Sequence, residues 1–356
     1  MSLVAGSERI KASAATDPVA GRVVWAPAKS IWVSSMMAIG LIGAPLLFAW
    51  DAFALFLGTC AITLCFGHSV GMHRRLIHNS FGCPLWLEYL CVYLGTLVGM
   101  AGPIGMMRTH DMRDWAQRQS ACHDYFCHRK GFWHDAWWQL HCELKLARPP
   151  AFKLEPRVAR DRVYYWMERT WMLQQLPWAA LFVALGGWSW IVWGICARVS
   201  VCVIGHWLVG HYAHRKGPQS WIVEGAVAQG HNVRIAGLIS MGESWHNNHH
   251  AFPGSAKLGL FPGQVDPGWW MIRALEFFGL AWSIRTPETM PARKELRRAS
   301  KPNDGGCPIL EGMRKLLGLG VRGGADRGPK LGGQLASARH GRLGSSGGTA
   351  SSNWRV

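Results

Sequence analysis

Two neighbouring runs without a formal charge set the tightest limit on how this chain can fold. Ser30 to Trp50 contains no Asp, Glu, Lys or Arg, and after Asp51 the same holds from Ala52 to Met72. A hydrocarbon core of about 30 Å needs roughly 20 residues of helix. Each run meets that length, and Asp51 marks the tip of a tight hairpin between them. Two such runs side by side are rarely buried in a soluble protein. Composition agrees: charged residues are 17% of the 356 and hydrophobic residues 49%, where a soluble domain carries about 25% charge. The 21 Trp suit membrane–water interfaces, where the ring has one dry and one wet side.

A second pair of spans is expected between Thr170 and Val209, interrupted only by Arg198, with a turn at Gly186 and Gly187. Arg198 is costly in a span unless it snorkels or pairs with a buried group. The four expected spans are about 30–50, 52–72, 170–187 and 189–209. The stretch Asn79 to Met107 is apolar but carries Glu88, Pro103 and three glycines after Val98. A full crossing there would put His73 and His110 on opposite faces. If they form one site, this stretch lies along the interface or dips in and returns.

The hairpin tips are short and not basic. Lys and Arg concentrate in the N-terminal arm (1–29), in 108–169 and in the C-terminal third, and the net charge is +17. The positive-inside rule then puts both chain ends and every histidine cluster in the cytoplasm. The positive charge reads as attraction to anionic lipid rather than to nucleic acid, because the spans need a bilayer. The expected location is a bacterial inner membrane. No signal-peptide pattern opens the chain. The ten cysteines are scattered without a CxxC pair, and most read as reduced core residues. From about 288 to 356 the chain turns basic and then Gly/Ser-rich, which predicts a disordered tail.

Histidine placement carries the functional signal. Of 16 histidines, all but His340 fall between His68 and His250. In GESWHNNHHAFP, His246, His249 and His250 stand at i, i+3 and i+4, so a helix puts them on one face. Imidazole is the commonest metal ligand and binds iron, zinc and copper. In HSVGMHRRLIH, His73 and His78 are five apart, which a regular helix splays by about 140°. They converge only from a helix end or an irregular turn. His68 sits deeper and reads as structural or as support for the ligands. In HWLVGHYAHRKG, His214 lies just past the apolar run and reaches the same region, while His206 and His211 read as packing residues.

Together these segments resemble the membrane fatty acid desaturases, most closely the stearoyl-CoA branch, over about residues 30–287. HRRLIH, the Ala213-His214 pair and HNNHHAFP preceded by Gly242 and Glu243 carry the resemblance. It implies an all-α integral membrane protein, with four transmembrane helices in two hairpins and a cytosolic helical cap bearing the histidine boxes. It implies two irons, O2 as co-substrate, and a tunnel for a long acyl chain carried as acyl-CoA or acyl-lipid. By position the ligands are His73, His78, His110, His214, His246, His249 and His250.

The family's second box is HxxHH, and here it is His110 followed by Arg113 and Asp114. Three readings follow. Asp114 is a carboxylate ligand, since iron accepts mixed shells, with Arg113 pairing with an acid or a substrate headgroup. Alternatively His123, His128, His134 or His141 moves in. Or the second metal is lost. His68, Arg113, His123, His128 and Asn247 are candidate substitute ligands or supporting residues. CHDYFCH offers Cys122, His123, Cys127 and His128 as a four-ligand zinc set, but its spacing matches no standard finger or knuckle. The implied reaction is O2-dependent introduction of a cis double bond. The alternatives are a related hydroxylase, ketolase or decarbonylase, or a non-catalytic lipid-binding relative. No haem-binding or flavin motif is present, so electrons come from a separate ferredoxin, rubredoxin or cytochrome b5-like protein with its reductase.

Overall fold

The computed structural model describes residues 9–306. The expected spans appear as long apolar helices. α1 (Pro27–Leu46) is followed by α2 (Trp50–Ile62), which continues without interruption as a π-helical stretch, Thr63–Ile77. Then come α3 (Leu85–Leu97), α4 (Pro103–Gln117), α5 (Phe132–His141), α6 (Pro156–Ala159), α7 (Arg162–Thr170), α8 (Gln175–Ile191), α9 (Arg198–Ala213), α10 (His246–Ala251) and α11 (Pro267–Phe277). Among the described residues three helices are long and apolar enough to cross a membrane: Pro27–Leu46, Trp50–Ile77 and Gln175–Ala213. Their apolar windows are only 22–33% buried within the protein, so most of that surface requires lipid as its solvent.

The third of these helices is not straight. Gly187 has φ 66° and ψ −158°, a conformation a residue with a Cβ rarely adopts. Phe182 and Gly194, about 18 Å apart on a straight helix, are in contact here, so the chain reverses at Gly187 as the Gly-Gly turn predicts. The two hairpin tips are fastened together. Trp190 Nε1 donates to Asp51 Oδ2 at 2.8 Å, and Ser189 Oγ donates to the Leu47 carbonyl at 2.7 Å. Arg198 does not snorkel. It is buried and donates to the carbonyls of Gly194 and Leu97 and to Gln175 Oε1.

The ambiguous stretch doubles back along the helix before it. α3 runs antiparallel to the π-helical stretch, with Gly67 against Gly95 and Gly71 against Cys91. A Cβ on Gly67 would lie 2.4 Å from the Gly95 nitrogen, so backbone contact is the reason for glycine there. Glu88, buried on α3, is neutralised by Arg75 at 2.7 Å and by Arg157. α4 then brings the chain back, so His110 meets His78. Beneath them Met72, Leu76, Val92, Met107 and Tyr164 pack as one apolar core.

The expectation of an all-α chain needs one correction. Three antiparallel two-stranded ribbons form between β1 (Ile10–Lys11), β2 (Gly21–Trp25), β3 (Cys142–Leu146), β4 (Ala151–Phe152), β5 (Trp221–Val223) and β6 (Leu296–Arg298). They pair β1 with β4, β2 with β3 and β5 with β6. Each joins segments remote in sequence, so local pattern could not reveal them. The first two fix part of the N-terminal arm to the body. The third packs residues 296–298, placed above in the tail, with Leu296 in a core beside Trp221 and Phe252. The rest of that expected tail, 307–356, lies outside the described residues.

Gly67→Ala is expected to lower the thermal midpoint in detergent, by the equivalent of about 1–3 kcal/mol for overpacking. Gly58→Ala is the control, because a Cβ there meets nothing within 4 Å; it is expected to be neutral or stabilising. Equal midpoints for the two variants would contradict the close helix contact.

Candidate metal centre

The π-helical winding solves the spacing problem of the first histidine pair. With N–H groups bonded five residues back, residues five apart approach one face. The His78 amide bonds the His73 carbonyl at 3.0 Å, and the two Nε2 atoms meet at 3.2 Å. His110, carried in by α4, puts its Nε2 3.3 Å from that of His78. α10 supplies the remainder. At about 100° per residue, His246, His249 and His250 share one side of this short helix and Asn247 and Asn248 take the other. His249 joins the first three in a group whose donor atoms all lie within 4.8 Å of one another. His246 and His250 form a second group of the same tightness with His214, from the end of α9. There the His246 Nε2 is 2.9 Å from that of His214 and 3.0 Å from that of His250.

These separations are those of a coordination shell. With metal–nitrogen bonds of about 2.1 Å, adjacent ligands at 90–109° lie about 3.0–3.4 Å apart. Burial, reinforced by the neighbouring imidazoles, holds His78, His214, His249 and His250 well below their ordinary values, and His246 down to about 3. The rings are therefore neutral at pH 7, with lone pairs to give. Where Nδ1 carries the hydrogen of a neutral ring, the Nε2 lone pairs face one another. The donor set fits a metal in each group: four nitrogens in one, three with room for further ligands in the other.

Outer contacts hold the rings. Glu243 Oε2 approaches His73 Nδ1 to 2.5 Å, while its other oxygen accepts from Ser69 at 2.6 Å. Asp111 Oδ1 lies 3.4 Å from His110 Nδ1. Its second oxygen is held by Arg9, which also donates to the Leu76 and Ile77 carbonyls where the π-helical stretch ends. The His214 Nδ1 faces the Gln229 carbonyl at 3.3 Å, and Gln117 Nε2 stands 3.0 Å from its Nε2. Arg74, fully buried, ties this helix to Asp266 at 2.7 Å and to the Ala256 carbonyl. Such supports usually accompany metal-bound histidines. Arg9 and Asp111 gave no signal as motifs, whereas Glu243 stood in the Gly242-Glu243 pair that precedes the third histidine box. A charged residue beside a ligand in the sequence, as with His110-Asp111, was the available hint.

The other candidates take different places. Asp114 pairs with Arg118 at 2.9 Å and belongs to neither histidine group. Arg113 finds no carboxylate. Its Nη2 donates to Gln139 Oε1 at 2.7 Å, and its Nη1 stands 3.2 Å from His128 Nε2. His128 belongs to a third cluster, in which Asp135 Oδ2 receives His128 Nδ1, His211 Nδ1 and Trp207 Nε1 at 2.7–2.9 Å. Burial takes His128 down to about 4 despite Asp135, so a neutral His128 sits against an ionised carboxylate. Its ring stacks on His214 at 5.7 Å. His123 accepts from the Tyr125 amide. His134 and His141 pack against Trp138 and Trp137. Asn247 binds backbone at Ser220, Trp221 and Gly230. Cys122 and Cys127 are bonded to each other, which removes both from a zinc set, and seven other cysteines among the described residues are free.

Below the histidines lies a cavity of about 250 Å³. Its walls include Leu64, Met100, Val201 and Ile239, with Thr109, Arg113 and Asp114 at the polar side.

Comparison with known proteins gives a consistent result. Residues 47–257 match the family model described as fatty acid desaturase. The chain is 34% identical over 263 residues to the sn-1 stearoyl-lipid 9-desaturase of Anabaena variabilis, covering 71% of this chain and 93% of that protein. It is 32% identical to the sn-2 palmitoyl-lipid 9-desaturase of Nostoc sp. (strain 36), covering 68% and 84% respectively. To an acyl-CoA 5-desaturase of Anemone leveillei it is 34% identical, covering 71% and 78%.

Glu243→Gln is expected to weaken metal retention about 10–100-fold, the usual effect of losing an outer-shell carboxylate. Competition against a calibrated chelator measures it. Unchanged retention would show that Glu243 does not support His73.

Proposed function

The chain belongs to the fatty acid desaturase family and is an oxidoreductase of lipid metabolism. From that premise we propose that it introduces a cis double bond into a long acyl chain, using O2 and two irons held by His73, His78, His110 and His249 and by His214, His246 and His250. The observation that carries this reading is the convergence of seven imidazoles from four segments into two shells that α10 joins.

Bound iron would supply O2 activation and hydrogen removal from an unactivated C–H bond, chemistry that belongs to the metal. The protein supplies the rest. Leu64, Met100, Val201 and Ile239 give the acyl chain apolar walls beneath the histidines and keep water from the reacting carbons. Glu243 and Asp111 orient His73 and His110 from behind. The three-histidine shell keeps positions open, as catalytic sites do. Arg113, in place of a box histidine, sets a positive charge beside that shell without closing it.

The reversal at Gly187 and the fastened tips support a reading of four crossings in two hairpins. The basic segments lie at the histidine end, and on the positive-inside rule that end is cytoplasmic. The relatives act on acyl-lipid and acyl-CoA substrates by name, and either carrier suits a chain that enters from the membrane side. Electrons would come from a separate ferredoxin, rubredoxin or cytochrome b5-like protein, which a basic face attracts if the donor is acidic.

The test is product analysis. The full chain in lipid nanodiscs, with ferrous iron, O2 and a reduced ferredoxin system, is given stearoyl-CoA and stearoyl-lipid in parallel. A monounsaturated product is expected from at least one. His249→Ala is expected to lower its formation by more than the roughly 100-fold upper range of an outer-shell change. A hydroxylated product in place of the alkene would overturn desaturation, and no product from either carrier, with stearoyl or hydroxystearoyl chains, would overturn the enzyme reading.

A further inference from the structure

Two histidines line the cavity but belong to neither metal shell. His68 lies five positions before His73, and the π-helical winding turns both to the cavity. It is 9% exposed, and neither ring nitrogen has a hydrogen-bond partner among the described residues. His206 lies two turns before His214 on α9; unlike His68 it is exposed, and its ring lines the same cavity, so that an occupant of the cavity would cover it. It too has no hydrogen-bond partner among the described residues. The rings meet edge to face at 5.1 Å. They form a polar shelf between the metal ligands above and Leu64, Val201 and Cys202 below.

A shelf of this kind is at odds with a plain hydrocarbon occupant. Buried polar groups are nearly always hydrogen-bonded, and leaving one unmade is costly. An unadorned acyl chain lying beneath the metals would seal two imidazoles against methylene groups. Ionisable side chains at membrane depth are a mark of function. The cavity's remaining walls can bury the rest of a chain.

We propose that His68 and His206 bind an oxygen substituent, a hydroxyl or a carbonyl, borne by the acyl chain close to the carbons that react. The preferred substrate is then an oxygenated fatty acyl chain rather than a saturated one. This deepens the desaturase reading and rests on it for the kind of chain that enters. The imidazole can serve either partner: its N–H donates to a carbonyl, and its free nitrogen accepts from a hydroxyl. A site built to hydrogen-bond a substrate oxygen discriminates strongly against the analogue lacking it.

The experiment measures binding with O2 excluded, so it stands whether or not the chain desaturates. Radiolabelled octadecanoic acid and its 9-, 10- and 12-hydroxy derivatives are the probes, applied to the full-length purified protein in detergent. The wild type is expected to bind at least one hydroxy isomer about tenfold more tightly than the plain acid, or about 1.4 kcal/mol. His68→Leu/His206→Leu is expected to abolish or invert that preference. His68→Asn/His206→Asn keeps hydrogen-bonding groups and is expected to retain part of it; this pair decides the matter if the leucine variant does not fold. Equal affinities in the wild type, as when the shelf holds only water, would overturn the proposal. So would failure to bind any hydroxy acid, or a preference that survives in the leucine variant or disappears in the asparagine variant.

Discussion

Seven imidazoles pointing their nitrogens at one another, away from bulk water, is the constraint on which this structure depends. Burial holds His78, His214, His246, His249 and His250 below their ordinary values, which limits charge repulsion while Nε2 atoms face each other at about 3 Å. Only a shared electrophile satisfies such a set well. The scaffold holds the rings in place by fastening the segments that carry them. Arg9 ties the end of the π-helical stretch to Asp111, and Arg74 ties the same helix to Asp266. Both are buried guanidiniums with carboxylate partners, the arrangement in which a buried charge is tolerable.

The membrane part serves that geometry. The helices deliver His73 and His214 at their ends, and the fastened tips at Asp51 and Trp190 fix how the hairpins stand against each other. The π-helical stretch turns His68, His73 and His78 toward one side. The antiparallel approach of α3, made possible by Gly67 and Gly71, lets the chain double back so that His110 arrives on the same side as His78. The cavity lined by these histidines also has apolar walls at Leu64, Met100, Val201 and Ile239.

Much of this was legible in the sequence, for identifiable reasons. The uncharged runs had only one solvent that could take them. HNNHH had only one helical face on which three histidines could meet, and the two asparagines fell to the other side. Requiring His73 and His110 in one place excluded a full crossing by Asn79–Met107 and left it to lie along the interface or to dip and return. What was not legible depended on long-range pairing. The ribbons join segments more than a hundred residues apart in two cases, and Arg9 reaches Asp111 across the same gap. The π-helical winding left a trace, three histidines at intervals of five, that reads as irregular on a 3.6-residue template. Asp114 matched a ligand by spacing from His110, but its carboxylate is taken by Arg118 one turn on. Spacing alone cannot report a competing cation.

The most direct test of the two-shell account is metal stoichiometry. Protein purified without oxygen, loaded with ferrous iron and freed of excess, is analysed by mass spectrometry of the metal against quantified chain. The account predicts about two irons per chain in the wild type and in Asp114→Ala, because seven histidines suffice for both shells. Fewer than about one iron in the wild type would contradict it, as would loss of an iron in Asp114→Ala.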